Sequence, residues 1–476
     1  MIAPSAARSV DRLAPLDGLR GIAIALVLWF HIWQITWLRA DVRAFGATVN
    51  FNAIPEAGFV GVDLFFFISG FCLFYPYART IVDGRPRQSL AIFAYRRAIK
   101  ILPSYYFSIA LVAALGWAHF ASPVDAFHQI VAHATFVHVF NDETFGGING
   151  VLWSLAIEVQ FYIIFPVVCW CAMRRPLLAC GVLTIAAFAY RAIVASHYDA
   201  VHELDQLPGT IDLFAAGIFT AYAYRALSAR KPQLAARRTL WTALAFAGAM
   251  ASAWTVQSAF DARVLPGWPG VWEVWGRSAM ALSFAVLTLG SLLAAPAWQR
   301  ALANPAFVFL SAISYNLYLW HQVVARALRD AHLPPWSGTN EHADAAWALE
   351  STGVSFVAAI AVGWLLTKCI EQPLLRARPF EVALTGRAER ARYGHARGGH
   401  GTRMEKSNDA DRVDNELTAG DAAEERAKMY ERTFNLQPET ARLAAEDKAT
   451  SGERKPASDD VDETRAAEAR ALEAGR

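Results

Sequence analysis

Five ionisable side chains stand inside stretches that are otherwise fit for lipid: Arg20, His31, Asp63, Glu158 and His321. Burying such a group in a membrane span is costly, so each one is a functional hypothesis by default. His31 and Glu158 carry the clearest chemistry. A titratable imidazole with a carboxylate in a low-dielectric site makes a general base able to deprotonate a hydroxyl. Asp63 offers a second carboxylate for the same role. For Asp63 and His321 a purely structural alternative also stands, a hydrogen bond between helices.

Spacing groups these residues further. Arg20 and His31 are eleven positions apart, which on a helix is about three turns plus 20°, so both project from one face. Their axial separation is roughly 16 Å, comparable to the reach of an extended pantetheine arm. Counted inward from the outer ends of their spans, His31, Asp63 and Glu158 lie about 12, 9 and 10 Å deep, and His321 about 6 Å. One layer can therefore hold three titratable groups. Ser154 and Tyr162, four residues either side of Glu158, share its helix face. They serve either as hydrogen-bond partners of the carboxylate or as interhelical contacts.

A cationic cluster precedes the third span. The connection ending in Tyr95-Arg96-Arg97-Ala98-Ile99-Lys100-Ile101-Leu102-Pro103 places three cations at the span's mouth. Arginine forks grip phosphate oxygens bidentately and lysine adds a point charge, which suits a polyphosphate. Anchoring to the cytoplasmic face is the competing reading.

These residues require an apolar scaffold. The chain has 476 residues, 55% of them hydrophobic, far more than a soluble protein of this size needs. Apolar runs of spanning length fall near 17–39, 57–78, 101–121, 151–173, 176–196, 209–227, 239–259, 276–295, 305–325 and 350–372. The expected fold is an all-α polytopic membrane protein of about ten transmembrane helices. The histidine-rich amphipathic stretch from Phe127 to Phe140 is too short to span and reads as an interfacial or re-entrant segment. The first apolar run lacks a small-residue cleavage site and reads as an uncleaved span.

Basic residues give the orientation, because Lys and Arg beside short loops stay cytoplasmic. The second connection holds Arg79, Arg85, Arg87 and the cluster, the fourth Arg174 and Arg175, the sixth Arg230, Lys231, Arg237 and Arg238, and the eighth Arg300. The third, 122–150, and the fifth, 197–208, hold no Lys or Arg, and the seventh only Arg263. Arg39, Arg43, Arg326 and Arg329 in the first and last outer loops fit this pattern less well. Both termini are expected in the cytoplasm.

The five cysteines form no CxxC pair and no His/Cys cluster has zinc spacing, so they read as small core residues and no metal is expected. Three regions follow: a cytoplasmic segment over 1–15, a transmembrane domain over 16–380 and a charged tail over 381–476. The tail holds 38 of the 86 Asp, Glu, Lys and Arg and reads as disordered or transiently helical.

Several motifs resemble one family. Arg12-Leu13, Leu16-Asp17-Gly18-Leu19-Arg20-Gly21-Ile22-Ala23 with His31, and Gly61-Val62-Asp63-Leu64-Phe65-Phe66-Phe67-Ile68-Ser69-Gly70-Phe71 are similar to the membrane-bound acyltransferase-3 family. Trp153-Ser154-Leu155-Ala156-Ile157-Glu158-Val159-Gln160-Phe161-Tyr162, Ser314-Tyr315-Asn316-Leu317-Tyr318-Leu319-Trp320-His321 and Glu371-Gln372-Pro373 continue the likeness in order. It covers about residues 12–380.

The resemblance implies transfer of an acyl group, commonly acetyl, from cytoplasmic acyl-CoA to a hydroxyl of a surface polysaccharide or lipid-linked sugar. Some relatives acylate small molecules. Its arginine-to-histidine motif maps onto Arg20 and His31, and its basic motif onto Arg96, Arg97 and Lys100, the last being Lys where many relatives have Arg. Tyr318 and His321 fall in a supporting motif. A bacterial inner membrane is the implied location, with membrane lipid around the chain and no nucleic-acid partner. Some relatives carry an extracytoplasmic hydrolase-like domain after an additional span; the charged tail has no apolar run, so no such domain is expected here and any such partner is expected to be a separate acyl-transfer protein.

The expected mechanism places acyl-CoA phosphates on Arg96, Arg97, Lys100 and Arg20, with pantetheine running towards His31. His31, oriented by Glu158 or Asp63, acts as general base or accepts the acyl group transiently; the sequence leaves both routes open. A proton-coupled transporter using the intramembrane His, Asp and Glu as a relay is the alternative. A scaffold docking through the tail is a third class. The outer loop with Gly146-Gly147-Ile148-Asn149-Gly150 and the stretch Trp268 to Trp275 are candidate sugar contacts or interfacial anchors.

Overall fold

A computed structural model of the protein describes residues 13–44, 47–197, 201–264, 272–336 and 344–377. Arg12, most of the expected N-terminal segment, Trp268 and the charged tail lie outside the described residues.

The chain is a bundle of long helices. In order these are α1 (Ala14–Thr36), α2 (Val60–Asp83), α3 (Leu90–Ala114), α4 (Pro123–Ala134), α5 (Trp153–Arg174), α6 (Pro176–His197), α7 (Leu207–Arg230), α8 (Arg238–Val264), α9 (Arg277–Leu293), α10 (Pro296–Leu302), α11 (Pro305–Asp330) and α12 (Ala345–Leu366). A helix covers each of the ten expected apolar stretches. Among the described residues seven helices are long and apolar enough to cross a membrane, and the pair α10 and α11, bent by 47°, makes an eighth if it is one broken span. The protein is therefore a multi-pass membrane protein by length and composition.

Three features differ from expectation. The connection between α1 and α2 contains an antiparallel hairpin, β1 (Asp41–Ala44) with β2 (Ala47–Asn50). The third long helix begins at Leu90 instead of 101, so the basic cluster is helical and not a loop. Pro103 sits inside that helix, as proline does in membrane helices more readily than in soluble ones. Among the cysteines, Cys72, Cys169 and Cys180 are buried as expected, but Cys369 is exposed and Cys171 partly so.

Large apolar side chains face outwards as well as inwards, and helices approach most closely where small residues let their backbones meet. Ile163, Ile185 and Val357 are 72%, 69% and 71% exposed. At the centre α2 packs on α7 so closely that a Cβ at Gly70 would strike the Phe214 carbonyl and one at Gly217 the Phe67 carbonyl. Glycine is required there for backbone approach. On the other side of the core α1 packs against α10 and α11, with Gly18 against Leu302 of α10 and Gly21 against Phe307 of α11. Gly21 meets Phe307 and, further along, His31 meets His321, so α1 and α11 run parallel. Asn304 starts α11 by accepting a hydrogen bond from Phe307 N at 3.0 Å, with Pro305 at the first helical position, a strong start signal.

Candidate active site

The parallel pair α1 and α11 carries two registers of polar contact. Near their first turns Arg20 Nη1 donates to Ser311 Oγ at 3.1 Å and lies 3.6 Å from Asp17. Near their far ends the His31 and His321 rings meet edge to face, 5.0 Å between centroids. The expected common face of Arg20 and His31 is therefore the face turned to α11. Both imidazoles are fully buried.

Each histidine is held by its own helix. His31 Nδ1 lies 3.0 Å from the Val27 carbonyl and His321 Nδ1 2.9 Å from the Leu317 carbonyl. A carbonyl can only accept, so Nδ1 carries the proton in both rings. In the neutral imidazole this leaves the lone pair on Nε2. That is the tautomer in which Nε2 can take a proton from an incoming hydroxyl.

Glu158 is fully buried on α5 and bound from two sides. Ser69 of α2 donates to Oε1 at 2.8 Å, and the Tyr162 hydroxyl, one turn along α5, donates to the same oxygen. Tyr162 also offers its ring to Arg97, whose guanidinium carbon lies 5.8 Å from the ring centre and 5.5 Å from that of Phe93. A continuous path thus runs from a cation of the basic cluster through Tyr162 to Glu158. Ser154 takes a different partner: its hydroxyl is 2.8 Å from the Tyr318 hydroxyl, which also donates to the Val151 carbonyl at 3.1 Å. Tyr318 and His321 lie one turn apart on α11, their rings 6.1 Å apart.

The basic cluster occupies one buried face of α3, with Arg96, Arg97 and Lys100 at 7%, 8% and 1% exposure. Lys100 Nζ bonds to Glu371 Oε1 in a buried ion pair and lies 5.9 Å from the centre of the Tyr315 ring. Asn316 donates to the other Glu371 oxygen at 3.1 Å. Glu371 closes a π-helical turn, Thr367–Glu371, after α12, and such turns recur at functional sites. The structure thus gives Lys100 and Glu371 each other, joining two motifs that the sequence left separate.

Asp63 faces a third network. Its Oδ1 is 3.9 Å from Arg277 Nε, and Arg277 also pairs with Asp205. Nearby, Arg191 of α6 forms a two-pronged pair with Asp212 of α7 at 2.8 and 3.1 Å and donates to Ser278 at 2.6 Å. Arg191 and Asp212 were missed at sequence level. Their signal was the one that found Glu158, a charge inside an apolar stretch.

Beyond the spans, α4 confirms a non-spanning helix of 12 residues. His133 at its end stacks on His138, 4.1 Å between centroids and 7° between planes. Burial pushes His133 down to about 4 and holds His138 well below the usual histidine value, with the neighbouring His133 adding to the effect. Asn149, in the connection between α4 and α5, donates to the Leu319 carbonyl at 2.9 Å, pinning that segment to α11 beside His321.

Residues 13–368 match the model of a family described as an acyltransferase domain. Nodulation protein 10 of Rhizobium leguminosarum bv. viciae is 24% identical over 405 residues, 80% of this chain and 98% of that protein. The peptidoglycan O-acetyltransferase OatA of Listeria monocytogenes is 27% identical over 166 residues, 32% of this chain. The chain matches 23% of the length of OatA. No solved structure matches.

Proposed function

The chain belongs to the acyltransferase family matched over residues 13–368 and is by that membership an O-acyltransferase; from this premise we propose that it moves an acetyl or other acyl group from cytoplasmic acyl-CoA to a hydroxyl of a surface polysaccharide or lipid-linked sugar. The carrying observation is the His31 ring, buried on the same helix face as Arg20 and held by Val27 with Nε2 as the basic nitrogen.

In this reading Arg96, Arg97 and Arg20 hold the nucleotide end, while Lys100 fixes the cluster through Glu371. The thioester lies beside His31 and His321. Nε2 of His31 takes the proton of the acceptor hydroxyl as its oxygen attacks the thioester carbonyl. The C–S bond breaks, an ester C–O bond forms, and the proton passes to the coenzyme A thiolate. Glu158 positions Tyr162 and through it Arg97; Asp63 sets Arg277. Ser154 and Tyr318 hold α5 to α11.

The same proposal includes ten spans, cytoplasmic termini, a transmembrane domain over 16–380 with a charged tail over 381–476, and a bacterial inner membrane. Its support is the positive-inside distribution of Lys and Arg and the similarity to OatA, a peptidoglycan O-acetyltransferase. Family membership disfavours the transporter alternative. The test is reconstitution in proteoliposomes loaded with labelled acetyl-CoA, with polysaccharide outside. Label should reach the polysaccharide with or without a protonophore. Loss of labelling on adding protonophore, or labelling of nothing, would contradict the reading.

A further inference from the structure

Between Ser311 and His321, α11 is bonded to three other parts of the bundle. Ser311 takes Arg20 of α1, and Ser314 Oγ donates back to the Ser311 carbonyl at 2.6 Å. The Tyr315 hydroxyl donates to the Ile101 carbonyl of α3 at 2.6 Å, beside Lys100, whose Nζ lies over the Tyr315 ring. Asn316 Nδ2 donates to Glu371 Oε2 at 3.1 Å and to Thr367 Oγ1 at 3.2 Å, the last and first residues of the π-helical turn after α12. Thr367 is itself fixed by donating to the Gly363 carbonyl at 2.7 Å. One position after Asn316, the Leu317 carbonyl holds Nδ1 of His321. Tyr315 and Asn316 are both fully buried.

Consecutive helical residues point about 100° apart, so Tyr315 and Asn316 reach two different neighbours at one height. Those neighbours supply the two halves of the Lys100–Glu371 pair: Tyr315 holds the α3 side and Asn316 the Glu371 side. Arg96 and Arg97 stand one turn back from Lys100 on the same face of α3. Every cation that grips the nucleotide in the acyl-transfer reading is thus referred to α11, Arg20 through Ser311 and the α3 arginines through Tyr315 and Asn316. Ser311 and His321 are ten positions apart, about 15 Å, close to the spacing of Arg20 and His31 on α1. A donor gripped at one end must present its thioester at the other, and a misplacement of about 1 Å there costs about 10²-fold in rate.

We propose that Tyr315 and Asn316 are positioning residues for the donor: without touching it, they set the height of the α3 cations relative to the histidine pair, so that α11 registers the nucleotide grip with the thioester. The inference rests on the acyl-transfer reading above and adds the residues that couple its two ends. Their effect is confined to a donor held by its nucleotide. S-acetylpantetheine keeps the thioester and the arm but lacks the nucleotide phosphates, and so has no second end to register.

Tyr315→Phe removes one hydroxyl and keeps the ring beside Lys100. Asn316→Ala removes the amide, and the milder Tyr315→Phe carries the test if the alanine variant does not fold. Full-length variants in membrane vesicles at matched expression receive labelled acetyl-CoA or labelled S-acetylpantetheine and the polysaccharide fraction of the expressing cells, with His31→Ala as the control. Coenzyme A binding is measured on the same vesicles. The expected result is a kcat from acetyl-CoA lowered about 10- to 100-fold, an unchanged Kd for coenzyme A, and transfer from S-acetylpantetheine equal to that of the wild type. The same fall in kcat at unchanged Kd is required if the wild type accepts acetyl-CoA alone. Equal losses on both donors would assign the two residues to the general fold and overturn the inference. A wild-type kcat, or a Kd for coenzyme A that rises in step with the loss, also overturns it. Labelling by the wild type that does not depend on His31 overturns the acyl-transfer reading and this inference with it.

Discussion

The His31 and His321 rings meet at 65° with 5.0 Å between their centres, and each Nδ1 is bound to a carbonyl four residues earlier in its own helix. Two imidazoles with the same tautomer therefore face each other from parallel helices. His31 shares its helix face with Arg20, so it is assigned the proton transfer, and His321 the support of its ring. His321→Phe keeps an aromatic edge against His31 but removes Nε2. It should lower kcat by about tenfold with little change in KM for acyl-CoA, whereas His321→Ala should cost more because the ring contact is also lost. Equal rates for wild type and both variants would remove His321 from the site.

Lys100 and Glu371 form a buried pair, so removing one partner leaves an uncompensated charge. Lys100→Met should destabilise the protein by about 3–5 kcal/mol, seen as a large fall in melting temperature in detergent. Adding Glu371→Gln should recover most of the loss, since Asn316 can still donate to the new amide oxygen. No recovery in the double variant would show that Lys100 stabilises the fold by some other contact.

Tyr162 has two functions that substitution separates. Tyr162→Phe removes the hydroxyl from Glu158 but leaves a ring face for Arg97; Tyr162→Leu removes both. Only the leucine variant should raise KM for acyl-CoA, by several-fold, since a cation–π contact of this kind contributes on the order of 1 kcal/mol. Both should lower kcat. Identical KM values for the two variants would sever Arg97 from its assigned role.

His133 and His138 are buried neutral, so the sign of their pH effect is fixed. The unfolded chain binds protons near the ordinary value of 6.5, while folded His133 resists until about 4 and His138 is likewise held well below the ordinary value. Stability from this pair is complete above about pH 6.5 and falls as pH drops towards 4. Melting temperature measured across that window should fall, and His138→Phe, which keeps the stack without titrating there, should flatten the curve. A curve unchanged by the substitution would place the acid sensitivity elsewhere.

Much of this site was legible because helical periodicity is local. Arg20 and His31 could be put on one face from their spacing, and Tyr162 beside Glu158 from one turn of helix. What faces them was not legible, because Ser311, His321 and Ser69 arrive through tertiary packing from distant parts of the chain. Lys100 was read into a connection because the apolar run begins only at 101, yet the helix already starts at Leu90 and runs through Pro103. The His133 and His138 stack was hidden by its five-residue spacing, which suits no helix face. It forms because α4 ends and the chain turns through Phe136, at a φ of 60°. The hairpin after α1 has strands of four residues, too short for a period to declare itself.

The central claim is that His31 takes the proton of the acceptor hydroxyl. Its most direct measurement is single-turnover transfer of label from acetyl-CoA to the polysaccharide fraction by membranes carrying wild type or His31→Ala at matched expression. Loss of a general base of this kind should slow transfer by about 10²–10⁴-fold with acetyl-CoA binding retained. Transfer at the wild-type rate by His31→Ala would contradict the account.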